Sequence, residues 1–171
     1  MFSLLSKLLQ PKKPEANMNP ELHPEYLAIR KRMLNFTNED MNLTIPNDGK
    51  VYAYLALVDI PVLDGYASIA MCFGSNCEVY FNNGTGDFEL EKDESVKNAS
   101  LRFLVSSTQV LHVMELTTDF AFKPSRNMRV FLKTTKGVYF KELDDSKESR
   151  FLETLIKNVE ISMENYLKQR R

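Results

Sequence analysis

The chain has 171 residues, 43% of them hydrophobic and 26% charged, with a formal net charge of −1. These values fit one soluble globular domain and exclude collagen-like, wholly disordered and multi-span membrane classes. A chain of this length buries about 70% of its unfolded surface, so it needs no disulfide or metal for a core, and its near-zero charge makes no overall electrostatic case for nucleic acid.

The chain opens on Phe2-Ser3-Leu4-Leu5-Ser6-Lys7-Leu8-Leu9. Phe2, Leu5 and Leu9 share a helical face, with Leu4 and Leu8 beside them. This spacing predicts a short helix that packs on the domain or on a second subunit. The alternative is an interfacial anchor helped by Lys7, Lys12 and Lys13, which a single short helix supports only marginally. Lys12 and Lys13 follow the apolar run, whereas a secretory signal has its basic residues first. No run approaches the roughly 20 residues that span a bilayer. The expected location is the cytoplasm, without membrane contact. Residues 11–24 hold four prolines and read as a linker. The expected organisation is a helix plus linker over 1–23 and a single domain over 24–171.

Pro24 suits the first position of a helix running to about Phe36. Tyr26, Ile29, Met33 and Phe36 form its apolar stripe, and Arg30-Lys31-Arg32 is expected on the solvated face. Val51–Val58 reads as a strand covered on both faces. Ala67–Phe73 and Cys77–Phe81 follow as a hairpin around Gly74-Ser75-Asn76. The expected register sets Phe73 opposite Cys77, Met71 opposite Val79 and Ile69 opposite Phe81, which gathers the large apolar residues on one face. Cys72 and Cys77 then face opposite sides and stay reduced, as expected in a cytosolic protein. Asn82-Asn83-Gly84-Thr85-Gly86-Asp87 is a turn of residues that tolerate left-handed backbone.

A second helix is predicted from Asp93 to about Val113, with Val96, Ala99, Phe103 and Val110 near one face. Thr117-Thr118-Asp119 and Pro124 lead to a second hairpin, Met128–Thr134 and Val138–Leu143, around Thr135-Lys136-Gly137. A three-residue loop ending in Gly sets Leu132 opposite Phe140 and Thr134 opposite Val138. Asp145 or Ser146 caps a last helix with the stripe Leu152, Leu155, Val159, Met163 and Tyr166. Short links between consecutive strands imply antiparallel pairing. The expected fold is therefore α+β, with a five-stranded antiparallel sheet flanked by helices. The order of elements is similar to profilin-like and roadblock-like plans.

Little in the sequence carries chemistry. HExxH, His/Cys clusters and DxDxDG loops are missing, so no metal ligands and no cofactor are expected. Cys72, Cys77 and His112 are the nucleophile or base candidates beyond carboxylates and hydroxyls, and none sits in a recognisable catalytic motif. The expectation is no enzyme and no catalytic residue. Asn82, Asn83, Gly84, Thr85 and Gly86, with Thr117, Thr118 and Asp119, are the candidate ligand-binding residues. They hydrogen-bond through groups that mostly do not titrate, and glycines expose backbone N–H groups. Phe2, Leu5 and Leu9, with Leu155, Val159 and Met163, are the candidate interface residues.

Charge is uneven. Residues 1–36 carry +3, residues 37–92 carry −7 and residues 127–171 carry +3. That distribution suits association between copies or with a basic partner. It disfavours phosphate near Tyr52, Tyr54, Tyr80 and Phe81, so no nucleic-acid partner is expected.

The stretch VYAYLALVDIPVLDGYASIAMCFGSNCEVYFNNGTG, then ESVKNASLRFL, TTDF, Pro124 and MRVFLKTTKGVYF, resembles a family of small bacterial α+β proteins. The resemblance covers about residues 50–168 and centres on Tyr80–Gly86. Relatives carry consecutive glycines where Asn83 and Thr85 interleave here. No activity is assigned to the family, so the resemblance implies a fold and a bacterial origin but no mechanism. The expected function is a non-catalytic protein-interaction or regulatory module whose partner is another protein or a second copy. The alternatives are a small-ligand binder using the 82–87 loop and an immunity-type inhibitor of a toxin.

Overall fold

The computed structural model describes residues 17–74 and 76–170. Helix α1 (Pro24–Asn35) starts where predicted, with His23 Nδ1 accepting the Glu25 N–H at 3.2 Å. Its stripe buries Tyr26, Met33 and Leu34, but also Arg30. The basic run is thus split: Lys31 and Arg32 are exposed, whereas Arg30 turns inward. Lys133 Nζ donates to the Leu34 carbonyl at 2.7 Å and to that of Phe36, placing a cation at the helix C-terminus.

Strand β1 (Ala53–Val62) pairs with β2 (Gly65–Cys72), β2 with β3 (Cys77–Phe81), and β3 with the two-residue β4 (Gly86–Asp87). Helix α2 (Glu94–Ser107) follows, started by Asp93, whose Oδ1 accepts from the Ser95 and Val96 N–H groups. Its last predicted turns tighten into a 3-10 segment, Thr108–Val113. Strand β5 (Glu115–Thr117) precedes the hairpin of β6 (Arg129–Thr134) and β7 (Gly137–Glu142). Ser146 caps helix α3 (Lys147–Gln169).

The sheet order is β4-β3-β2-β1-β6-β7-β5, and every neighbouring pair is antiparallel. The α+β class with an antiparallel sheet therefore stands. The strand number is corrected from five to seven. The two added strands, β4 and β5, are the sheet edges, and each is too short to show an alternating pattern.

Both hairpin registers also differ from expectation. In the first, Met71 faces Cys77 and Ile69 faces Val79, two residues from the predicted pairing. An even shift leaves every side chain on its predicted face. In the second, Leu132 faces Tyr139 and Phe131 faces Phe140. The turn is Thr135-Lys136 alone, because the Thr134 hydroxyl bonds to both the Gly137 carbonyl and the Lys136 N–H. That odd shift is tolerated because both faces of the sheet are apolar. Ala56, Val58, Ile60, Val130 and Leu132 pack under α2 and α3, while Leu55, Leu57 and Phe131 pack under α1.

Candidate functional site

The Asn82–Gly86 turn is engaged by the chain's own linker. Asn82 Oδ1 accepts the Tyr66 N–H at 2.9 Å, and its amide donates to the Glu21 carbonyl at 2.8 Å. The Asn82 carbonyl accepts from the His23 N–H at 2.8 Å. Asn83 Oδ1 takes both the N–H and the hydroxyl of Thr85. Gly84 has φ +86°, and a Cβ there would lie 2.7 Å from the His23 ring. Gly84→Ala should therefore lower stability by about 1–2 kcal/mol, from left-handed strain and ring displacement. A urea midpoint would measure this, with faster hydrogen exchange at the His23 amide; an unchanged midpoint would remove the docking role.

Thr117-Thr118-Asp119 lies elsewhere. It closes β5, the edge strand opposite β4, so the structure does not bring the two loops together. Asp119 is spent locally: it accepts the Ala121 N–H and pairs with Lys123 at 2.5 Å. The three predicted nucleophiles and bases are also apart. His112 is exposed on the 3-10 segment after α2. Cys72 faces the α1 side and Cys77 the α2 side, and no disulfide joins them. Burial pushes the Cys77 thiol up to about 12, so it stays protonated and a poor nucleophile. Val159 and Met163 fill this chain's own core, with Leu155 packed against it. Phe2, Leu5 and Leu9 lie outside the described residues.

A buried polar chain under α1 was not legible in the sequence. Arg30 Nη2 meets Asp59 Oδ2 at 2.6 Å and Nε meets Oδ1 at 3.1 Å, with the side chains 3% and 2% exposed. Ser68 donates to Asp59 at 2.7 Å and shares a hydrogen bond of 2.8 Å with Tyr26. The third guanidinium arm reaches the Phe120 carbonyl, and the rings of Phe122 and Phe131 flank the cation. Burial, then the Asp59 charge, pushes the Tyr26 phenol well above its ordinary value. Every arm of this network ends on protein, so it fastens α1 and the 120–122 segment to the sheet. Its signal in the sequence was a lone Asp59 between Val58 and Ile60. A carboxylate inside an apolar strand requires a buried partner.

Of two concavities among the described residues, the larger, about 320 Å3, is lined mostly by polar loop residues such as Asn38, Asn47 and Lys136, and the other borders exposed apolar residues. A cleft of about 230 Å3 lies between the end of the β2–β3 hairpin and the start of α2. Phe73 and Leu101 line it, with Cys77, Glu91, Lys97 and Ser100 at its base and sides. Glu91 Oε2 accepts the Cys77 N–H at 2.9 Å, and the Ser100 hydroxyl donates to the Cys77 sulfur at 3.2 Å. The polar floor is therefore internally bonded. Phe73, Leu101 and Val105 are 40%, 39% and 58% exposed, and Val105 continues the Leu101 stripe one turn along α2. The expectation of core residues missed this stripe, which lies away from the face with Val96, Phe103 and Leu104.

Among the described residues, no group of three or more His, Cys, Asp or Glu is placed to hold a metal ion, and no helix is long and apolar enough to cross a membrane. Compared with known proteins, the chain matches no family model, no curated protein and no solved structure.

Proposed function

We propose that the chain is a non-catalytic protein-interaction module that binds a partner polypeptide through the cleft beside α2. The observation that carries this reading is the exposed stripe Phe73–Leu101–Val105 flanking a cleft whose polar floor is already satisfied. Such a surface offers apolar contact and no activated group. An apolar patch bordered by polar residues is a typical protein-binding surface. The best-fitting ligand is an amphipathic helix that places one or two apolar side chains into the cleft.

The test is selection of displayed random peptides on the full chain, with Leu101→Asp as the counter-target. The expected winners carry apolar residues at helical spacing. They should bind Leu101→Asp at least about tenfold more weakly, the loss of one anchoring contact. Selection of no peptide that distinguishes the two proteins would overturn the reading.

A further inference from the structure

The outer face of α2 is complementary to itself when turned end for end. We propose that the partner polypeptide is a second copy of this chain, docked by antiparallel pairing of the two α2 helices about a two-fold axis level with Phe103. This deepens the protein-binding reading of the same surface and rests on it.

Glu94, Asn98, Leu101 and Val105 are exposed along α2, and the half-buried Thr108 follows at the start of the 3-10 segment. Their steps of four and three place them on one stripe, opposite the buried Val96 and Phe103. An axis level with Phe103 sets Leu101 against Val105 of the second copy, twice by symmetry, beside Phe73 and the cleft. One turn outward it sets Asn98 against Thr108 of the second copy. The Thr108 hydroxyl already donates to the Val105 carbonyl at 2.7 Å, so its oxygen is left to accept from the Asn98 amide. At the ends it brings the exposed Glu94 to the exposed His112, an acid to an imidazole. Glu94 and Lys97 of one chain form a loose pair at 3.9 Å with side chains 76% and 55% exposed, which holds neither head firmly. Lys97, on the cleft side, stands level with Thr108 of the second copy and meets no like charge there. Parallel pairing would instead oppose every residue to its own copy, Glu94 to Glu94 and Lys97 to Lys97. Arg102, exposed beside the axis, does meet its own copy in the antiparallel arrangement, and this keeps the dimer weak.

Sedimentation equilibrium of the full chain tests this. It should be monomeric near about 1 μM and largely dimeric near about 100 μM, as befits a small interface. Leu101→Asp should weaken the dimer at least about tenfold, and Val105→Asp, at a more exposed position, serves should Leu101→Asp fail to fold. Exchange of the end groups reads the register. Glu94→Lys alone and His112→Glu alone should each weaken the dimer about twofold to fivefold, and the two together should restore it. Within one chain the length of α2, about 20 Å, separates the two positions, so restoration reports contact between copies. A monomer at the higher concentration, a dimer indifferent to both Asp substitutions, or losses that add in the double variant would overturn the proposal. If peptides distinguish Leu101→Asp while the chain stays monomeric, the binding reading stands and the second copy falls. If the dimer depends on Leu101 while no peptide binds, the self-pairing stands and the reading of a separate peptide ligand falls.

Discussion

Asp59→Ala should lower the unfolding free energy by about 3–5 kcal/mol, because it strands the Arg30 guanidinium in a site from which water is excluded. The Phe120 carbonyl and the Phe122 and Phe131 rings remain, but none of them carries a full negative charge. Ser68 loses its carboxylate acceptor in the same change and keeps only its hydrogen bond with Tyr26. Replacing both partners, as in Arg30→Met with Asp59→Leu, should restore most of the loss, since no uncompensated charge is then buried. Arg30→Lys should not, because an ammonium cannot reproduce the two-point contact with Asp59. Urea unfolding of the unchanged chain and the three variants measures these differences. A loss under about 1 kcal/mol for Asp59→Ala, the size seen for exposed pairs, would show that the network is hydrated and does not fasten α1.

Stability should also fall as pH rises from about 5 to about 8, by up to about 3 kcal/mol from Glu160 alone. Glu160 lies on α3, 3% exposed, and its Oε1 has no hydrogen-bond partner. Burial raises its carboxyl from 4.5 to about 7; Lys157 opposes the rise and Glu153 adds to it, both from the same helix. Below 4.5 the group is protonated in folded and unfolded chains alike, so folding carries no penalty. Between 4.5 and about 7 the unfolded chain releases its proton first, so each step upward in pH favours unfolding. Above about 7 the loss is complete. Glu160→Gln should flatten this dependence and gain stability at the higher pH. Urea midpoints at the two pH values decide it, and parallel curves for the two proteins would show that the carboxyl reaches water. Asp144 works in the opposite direction: hydrogen bonds from Ser146 and Ser149 hold its carboxyl well below the usual range, so its contribution is lost only in strong acid.

Local residue patterns carried much of the architecture. Pro24, Asp93 and Ser146 mark helix starts because each meets a need of the first turn, a missing donor or a side-chain acceptor. The five long strands were legible because their apolar runs are bounded by Gly, Pro, Asn and Asp. Cys72 and Cys77 could be assigned to opposite faces because alternation along a strand survives a shift of two residues. The second hairpin went the other way. Its register turns on whether Gly137 belongs to the loop or the strand, and the Thr134 hydroxyl settles that through bonds the sequence does not display.

The candidate site was far less legible. Asn82–Gly86 looked like a ligand loop because its residues are good hydrogen-bonding groups, yet those groups meet Tyr66, Glu21 and His23. Arg30 looked solvated because its neighbours Lys31 and Arg32 are, yet Asp59 draws it inward from a strand 29 residues later. Periodicity and turn chemistry act between near neighbours, so helices, strands and their buried faces can be read along the chain. Which donor meets which acceptor, which charge is neutralised underground and which apolar stripe is left without cover depend on groups far apart in sequence. Those matters are settled when desolvation forces distant polar groups to find one another, and that happens only once the layers have closed.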